Sequence, residues 1–173
     1  TFIELNKDTP MAETRSQLQQ LQRDAVILSE AGVPCVADPG NIAVLIAHEL
    51  GYQVKPLVGH SSILMALMSS GFSGQSFSFH GYLPIDRGEK NKALSQMEKT
   101  ALRTRQTQIF METPYRNNQM LQSIIELCHP DTRLCIASSL TGEDEFVKTQ
   151  TVGQWRKQKV DLNKKPAIYL IGV

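Results

Sequence analysis

Apolar and polar positions change rhythm once along this chain. Up to Gly71, short apolar runs alternate with helix-period patterns. Residues 1–5 read as an opening strand. Thr9 and Pro10 mark a helix start, with Thr as N-cap and Pro at the first helical position. That helix is expected to reach about Arg23, with Leu18 and Leu21 facing inward. Residues 25–28, Ala-Val-Ile-Leu, read as a buried strand. Residues 42–50 carry apolar side chains at 42, 45, 46 and 50, a helical spacing that Gly51 ends. A strand over residues 52–57 follows. A helix then opens at Gly59-His60-Ser61-Ser62 and runs to Ser70, where Gly71 closes it. The order βαβαβα predicts a mainly parallel sheet covered by helices.

After Gly74 the pattern mixes long helices with alternating strands. Strands are expected over residues 77–82, 108–111, 134–138 and 166–173, and a weaker one over 145–151 that pairs antiparallel. Helices are expected over 87–102, from Thr113-Pro114 to about Cys128, and over 152–159. The fold class is therefore α/β with two domains, residues 1–73 with a mainly parallel sheet and residues 77–173 with a mixed sheet. The Gly- and Ser-rich stretch 72–76 reads as the linker.

Composition narrows the picture little. The chain has 173 residues, 41% of them hydrophobic, and a net charge of +1, so no global charge argues for nucleic acid. No apolar run reaches membrane-spanning length, so no membrane partner is expected. Cys35, Cys128 and Cys135 are scattered and odd in number, which fits a reducing cytoplasm. They form no zinc-ligand spacing with His129, so no metal is expected and packing is the better reading. His48 falls on a helix pattern as a solvated or capping residue. Phosphate-loop, dinucleotide-binding and nucleophile-elbow motifs are absent from the sequence.

Four polar loops follow strands, where open α/β sheets bind ligands. The first is SEAGVPCVADPG, residues 29–40. Gly32 and Gly40 permit positive φ, two prolines stiffen the path, and Asp38 sits within it as an acceptor for ligand hydrogen bonds. A plain helix-entry turn is the alternative reading. The second, Gly59-His60-Ser61-Ser62, suits an anion at a helix N-terminus or simple capping. The third is Met111-Glu112-Thr113-Pro114-Tyr115-Arg116, where Glu112 and Arg116 form an ion pair or face a ligand. The fourth, residues 137–145, carries an acidic run that reads by default as a solvated turn.

These loops, in this order, resemble the tetrapyrrole methylase superfamily of S-adenosylmethionine-dependent methyltransferases, and most closely its ribosomal-RNA branch. The segments that carry the likeness are SEAGVPCVADPG (29–40), LVGHSSILMALMSSG (57–71), FHGYLP (79–84), IFMETPYR (109–116) and PAIYLIG (166–172). The resemblance implies two α/β domains with S-adenosylmethionine in the cleft between them, a homodimer in the cytoplasm, and 2′-O-methylation of a cytidine in small-subunit rRNA. It implies cofactor contacts from Asp38, Gly40, Asn41, Ser61, Ser62, Met111, Ala137, Pro166 and Ala167. Arg116, Lys90 and Lys92 are then expected to contact RNA phosphates. Glu112, Glu143 and His60 are candidates for a base at the ribose hydroxyl. A tetrapyrrole carbon methyltransferase and a non-catalytic cofactor-binding fragment stay open beside this reading.

Three positions depart from the family pattern. The first strand of the family and its glycine-containing loop would precede Thr1, so a longer protein is expected upstream. The usual Pro-Gly turn reads Val58-Gly59. The Arg-Glu-Leu-Thr of the rRNA branch reads Ser138-Ser139-Leu140-Thr141.

Overall fold

The structure, a computed structural model, describes residues 2–173. Thr1, the first residue of the expected opening strand, lies outside the described residues. The chain forms two compact units that divide in sequence between Ser61 and Ser62.

The first unit is built on two helices. Helix α1 spans Met11–Gln19 and α2 spans Asn41–Glu49. Pro10, not Thr9, occupies the N-cap of α1. The Thr9 hydroxyl instead accepts the Asn6 N–H at 3.0 Å and closes the turn before the helix. Helix α1 also stops short of Arg23. Helix α2 ends in a Schellman motif: the Gly51 N–H bonds the His48 carbonyl and the Tyr52 N–H bonds that of Ala47, with Gly51 at φ +78°. Ala43 and Ile46 bury the inner face of α2, and the Tyr52 hydroxyl donates to the Leu18 carbonyl at 2.9 Å. Arg15 and Glu49 pair between the two helices.

The parallel sheet expected for this half does not form. Among the described residues before Ser62 there is no strand. Residues 25–28 and 52–57 are extended but unpaired, with Val26 66% and Leu28 77% exposed. The reason is geometric. An apolar run becomes a buried strand only when neighbours satisfy its backbone on both edges. The extended segments of this unit do not pair with one another.

The second unit is a five-stranded mixed sheet in the order β1-β2-β5-β3-β4. The strands are β1 (Phe77–Tyr82), β2 (Thr107–Glu112), β3 (Arg133–Ser138), β4 (Phe146–Thr151) and β5 (Ala167–Gly172). Only β1 and β2 run parallel, joined by α4 (Arg87–Thr104); the other pairs are antiparallel. The mixed sheet matches the sequence pattern. Alternation sorts the side chains cleanly onto two faces. Phe110, Leu134, Ile136, Tyr169 and Ile171 pack under α4, α5 (Asn117–Leu127) and the short α6 (Val152–Trp155). Ile109, Cys135, Ala137, Ile168 and Leu170 pack against α3 (Ser62–Ser70). Trp155 is fully buried, and its indole N–H donates to the Leu134 carbonyl at 3.0 Å.

Helix α3 thus belongs to the second unit, and the division falls earlier than the linker chemistry of residues 72–76 suggests. That stretch is tied to the sheet. The Thr107 hydroxyl donates to the Ser73 carbonyl at 2.8 Å, and the Thr107 N–H bonds that of Ser76. The Phe72 ring lies directly against Gly172.

Candidate functional site

In the second unit three loops converge on one end of the sheet. Strands β2 and β3 both finish there, and β5 starts between them. Met111 and Ala137 are register partners of Ile168 on either side, and Glu112 and Ser138 are partners of Ala167. With strands about 4.8 Å apart, Met111, Ile168 and Ala137 make a continuous row on the α3 face. Helix α3 begins at Ser62, one residue before Ile63, which packs in the same cluster. Among the expected cofactor residues, Ser62, Met111, Ala137, Pro166 and Ala167 therefore gather at this end. The row is apolar: Ala137 and Ile168 are buried under α3, and the soft Met111 at its edge is half-buried.

The loop after β3 is wound tightly beside that row. Ser139 and Thr141 both hold left-handed φ, +51° and +67°. Such a conformation costs a non-glycine residue about 1–3 kcal/mol and persists only where the surroundings fix it. The fixing bonds are the Ser139 N–H to the Pro166 carbonyl at 2.9 Å and the Thr141 N–H to Glu145 Oε2 at 2.7 Å. Ser138 is fully buried, and its hydroxyl has no partner among the described residues.

Glu112 lies on the opposite face from Met111, as alternation requires. Its carboxylate is 5% exposed and accepts from Arg116 Nη2 at 2.6 Å, Arg116 Nε at 3.0 Å and the Thr113 N–H at 2.7 Å. The short 3₁₀ turn Pro114–Arg116 brings the guanidinium back over the strand end. Of the two readings of this pair, the structure displays the ion pair. Next to it Tyr169, buried and close to Glu112, donates to Asn117 through its hydroxyl. Burial first, and the Glu112 charge second, push the Tyr169 phenol above its ordinary range.

In the first unit the loop 29–40 folds as a tight knot at the N-terminus of α2. Gly40 is the N-cap of α2 at φ +124°, and a Cβ there would stand 3.0 Å from Cys35 Sγ. Cys35 and Ala37 also take positive φ, and the Cys35 N–H bonds the Pro39 carbonyl. Asp38 and Asn41 share a depression of about 410 Å³ with Asn6, Lys7, Thr9 and Thr14. Lys7 and Asn6 are residues that the motif reading missed. They precede α1 in sequence and reach the depression only through folding. Gly59 lies against Val33 (an added Cβ would be 3.2 Å from its Cγ1), so the second loop runs beside the first.

The remaining candidates are placed as follows. His60 is exposed on an extended segment, Ser61 is half-buried next to it, and Glu143 is exposed in the loop after β3. On α4, Lys90 is half-buried and Lys92 exposed. Cys128 and Cys135 are core residues. Burial, then the nearby Glu98 charge, push the Cys128 thiol up to about 12.

The second unit is a mixed α/β sheet with loops gathered at one end of its strands, the class of fold in which such ends bind ligands. The chain belongs to the tetrapyrrole (corrin/porphyrin) methylase family, whose model matches residues 6–155. It is similar to the ribosomal RNA small subunit methyltransferase I of Neisseria meningitidis serogroup A, 34% identical over 127 residues, covering 73% of this chain and 42% of that protein. The protein of the same name from Bacillus subtilis is 32% identical over 127 residues, with the same coverage. That from Buchnera aphidicola subsp. Schizaphis graminum is 29% identical, covering 98% of this chain and 60% of that protein. The chain therefore spans about half the length of these curated relatives. Among solved structures, the methyltransferase CobJ superposes with a TM-score of 0.52 at 16% identity, covering 82% of this chain and 61% of that one. A conserved hypothetical protein from Aeropyrum pernix K1 does so at 0.56 and 15% identity, covering 83% and 56%. These two likenesses concern the fold alone.

Proposed function

We propose that this chain is the part of an S-adenosylmethionine-dependent methyltransferase that carries cofactor contacts, and that the acceptor is a ribose 2′-hydroxyl of small-subunit rRNA. The observation that carries the reading is the row Met111–Ile168–Ala137 at the end of the sheet, flanked by Pro166-Ala167 and the start of α3. Met111, half-buried at the edge of the row, offers an adenosyl group an apolar contact, and the left-handed Ser139 and Thr141 hold the adjoining loop backbone in a fixed path. Within the first unit, taken by itself, Asp38 and Asn41 at the α2 N-terminus, with Gly40 and Ser61, are the polar and close-approach positions proposed for cofactor contact. The 34% identity to a protein named for rRNA methylation supports the choice of acceptor.

When bound, S-adenosylmethionine supplies a methyl group made electrophilic by its sulfonium, so the chain's task is orientation. Met111 would offer an apolar contact in the second unit, and Asp38 would accept hydrogen bonds in the first. Of the candidate bases, Glu112 is held by Arg116 and serves to fix the strand end. His60 and Glu143 are the solvent-accessible groups left to take the hydroxyl proton. Arg116, Lys90 and Lys92 meet phosphates in this reading, the whole protein is a homodimer, and its compartment is the cytoplasm.

Calorimetry with S-adenosylmethionine, followed by transfer of a labelled methyl group to small ribosomal subunits, tests the reading. Saturable binding with transfer to ribose is expected. Transfer to a tetrapyrrole instead, or binding without transfer to either acceptor, refutes it for this chain.

A further inference from the structure

Strand β1 contains one irregularity, and it lies beside the row just described. Phe79 is the register partner of Ile109 and Tyr82 that of Met111, so β1 advances three residues while β2 advances two. The extra residue is a bulge at Gly81, which sits at φ +65° with open space around its Cβ position. A bulge re-aims the side chain that follows it. Phe79 packs on the α3 face, and the His80 ring bonds Gln108 at 2.8 Å on the other. Leu83 returns to the core beneath α4 and α5. Only with the bulge does Tyr82 come back to the face of Phe79. The row of register partners therefore reads Tyr82–Met111–Ile168–Ala137 across four strands.

At this end of the row the ring is largely open among the described residues. Tyr82 is 56% exposed, whereas Met111 beside it is half-buried. Helix α3 packs on β5, β3 and β4, away from β1. A large exposed aromatic side chain, fixed by a backbone bulge and one strand from a ligand row, is poorly explained by core packing. Helix α4 starts five residues past Tyr82, at the same end of the sheet. Its first turn carries Arg87, exposed and 3.8 Å from Glu126, and Lys90, beside the N-cap Asp86 and Glu89. An exposed aromatic face suits an unpaired base, which stacks on the ring.

We infer that Tyr82 is the stacking platform for an unpaired RNA base on the acceptor side of the site, a positioning residue for the methyl-accepting nucleotide. The inference rests on the proposed RNA acceptor. It adds that recognition there is by the π-face of Tyr82 rather than by its hydroxyl.

The test uses the full chain with Tyr82→Ala, Tyr82→Phe and Tyr82→Trp. Each is titrated against a fluorescent single-stranded RNA of about 12 nucleotides, and against S-adenosylmethionine. Methyl transfer to small ribosomal subunits is measured alongside. Because the ring is exposed, the variants should melt with the parent. Tyr82→Ala should weaken RNA binding about tenfold, the size of one lost base stack, with cofactor affinity unchanged. Tyr82→Phe and Tyr82→Trp should stay within about twofold of the parent. RNA binding by Tyr82→Ala equal to the parent overturns the inference, as does a Tyr82→Phe as weak as Tyr82→Ala. If the parent methylates ribosomal subunits and Tyr82→Ala does so equally, the inference falls and the proposed function stands. If the parent methylates no RNA, both fall.

Discussion

Replacing Gly172 with alanine isolates one packing contact that holds the second unit together. Gly172 ends β5, and its φ is ordinary, so alanine brings no backbone strain. The obstacle is the Phe72 ring. An added Cβ would stand 2.5 Å from its Cγ and 2.7 and 2.8 Å from its two Cδ atoms. Those atoms are near the root of the ring, so a rotation about χ2 does not clear them. Phe72 is also held by its neighbours, since its N–H bonds the Ser70 hydroxyl at 3.0 Å. Overpacking of this kind costs about 1–3 kcal/mol. For a unit of this size that is a fall in melting temperature of roughly 4–13 °C. Trp155, the sole tryptophan and fully buried, reports on this unit alone when its fluorescence is followed through a thermal or urea transition. The double variant Phe72→Ala/Gly172→Ala removes the obstacle. The cost of Gly172→Ala should therefore fall below about half in the Phe72→Ala background, a coupling of about 1 kcal/mol. A Gly172→Ala chain that melts with the parent, or costs that simply add, would refute the packing argument.

Further outcomes follow from the site and the core. Asp38→Asn should weaken S-adenosylmethionine binding about tenfold, one charge-assisted hydrogen bond, while leaving the Trp155 transition in place; calorimetry decides. Arg116→Met strips the buried Glu112 of its ion-pair partner and should cost about 2 kcal/mol, below the value for a wholly buried pair because Arg116 is 29% exposed; urea unfolding measures it. The Cys128 thiol, raised from 9.0 to about 12, stays protonated in the native state at pH values where the unfolded chain ionises. Its contribution is thus complete below about pH 9 and is lost as pH rises toward about 12, with a limiting slope of about 1.4 kcal/mol per pH unit. Cys128→Ala should make the urea midpoint less sensitive to pH across that window.

The second unit was legible in the sequence because its signals are local and redundant. The strand at 107–112, the helix at 87–104 and the antiparallel return at 146–151 each carry their own period. The structure forms the expected mixed sheet with the strand at 146–151 paired antiparallel, while the strand order came only from the fold. The first unit was not legible in the same way. The run at residues 25–28 has the composition of a core strand, yet Val26 and Leu28 face solvent because no ladder partner stands beside them. The candidate residues divided along similar lines. Asp38 was read from its loop, and Met111 and Ala137 were named as candidates through the family resemblance. Tyr82 carried no such signal, since one extra residue in a parallel pair cannot be read from alternation.

By itself the sequence determined the elements of residues 62–173, the two-faced alternation of their strands, and the four loops whose order marks the family. Those properties depend on side-chain type and spacing along the chain. Tertiary structure alone decided which loops share a sheet end, that Glu112 faces away from Met111 and is neutralised by Arg116, and that the bulge at Gly81 turns Tyr82 back beside Met111. The physical reason is register. A strand's neighbours and its one-residue offsets are set by hydrogen bonds between segments distant in sequence, and a shift of one residue moves a side chain to the other face.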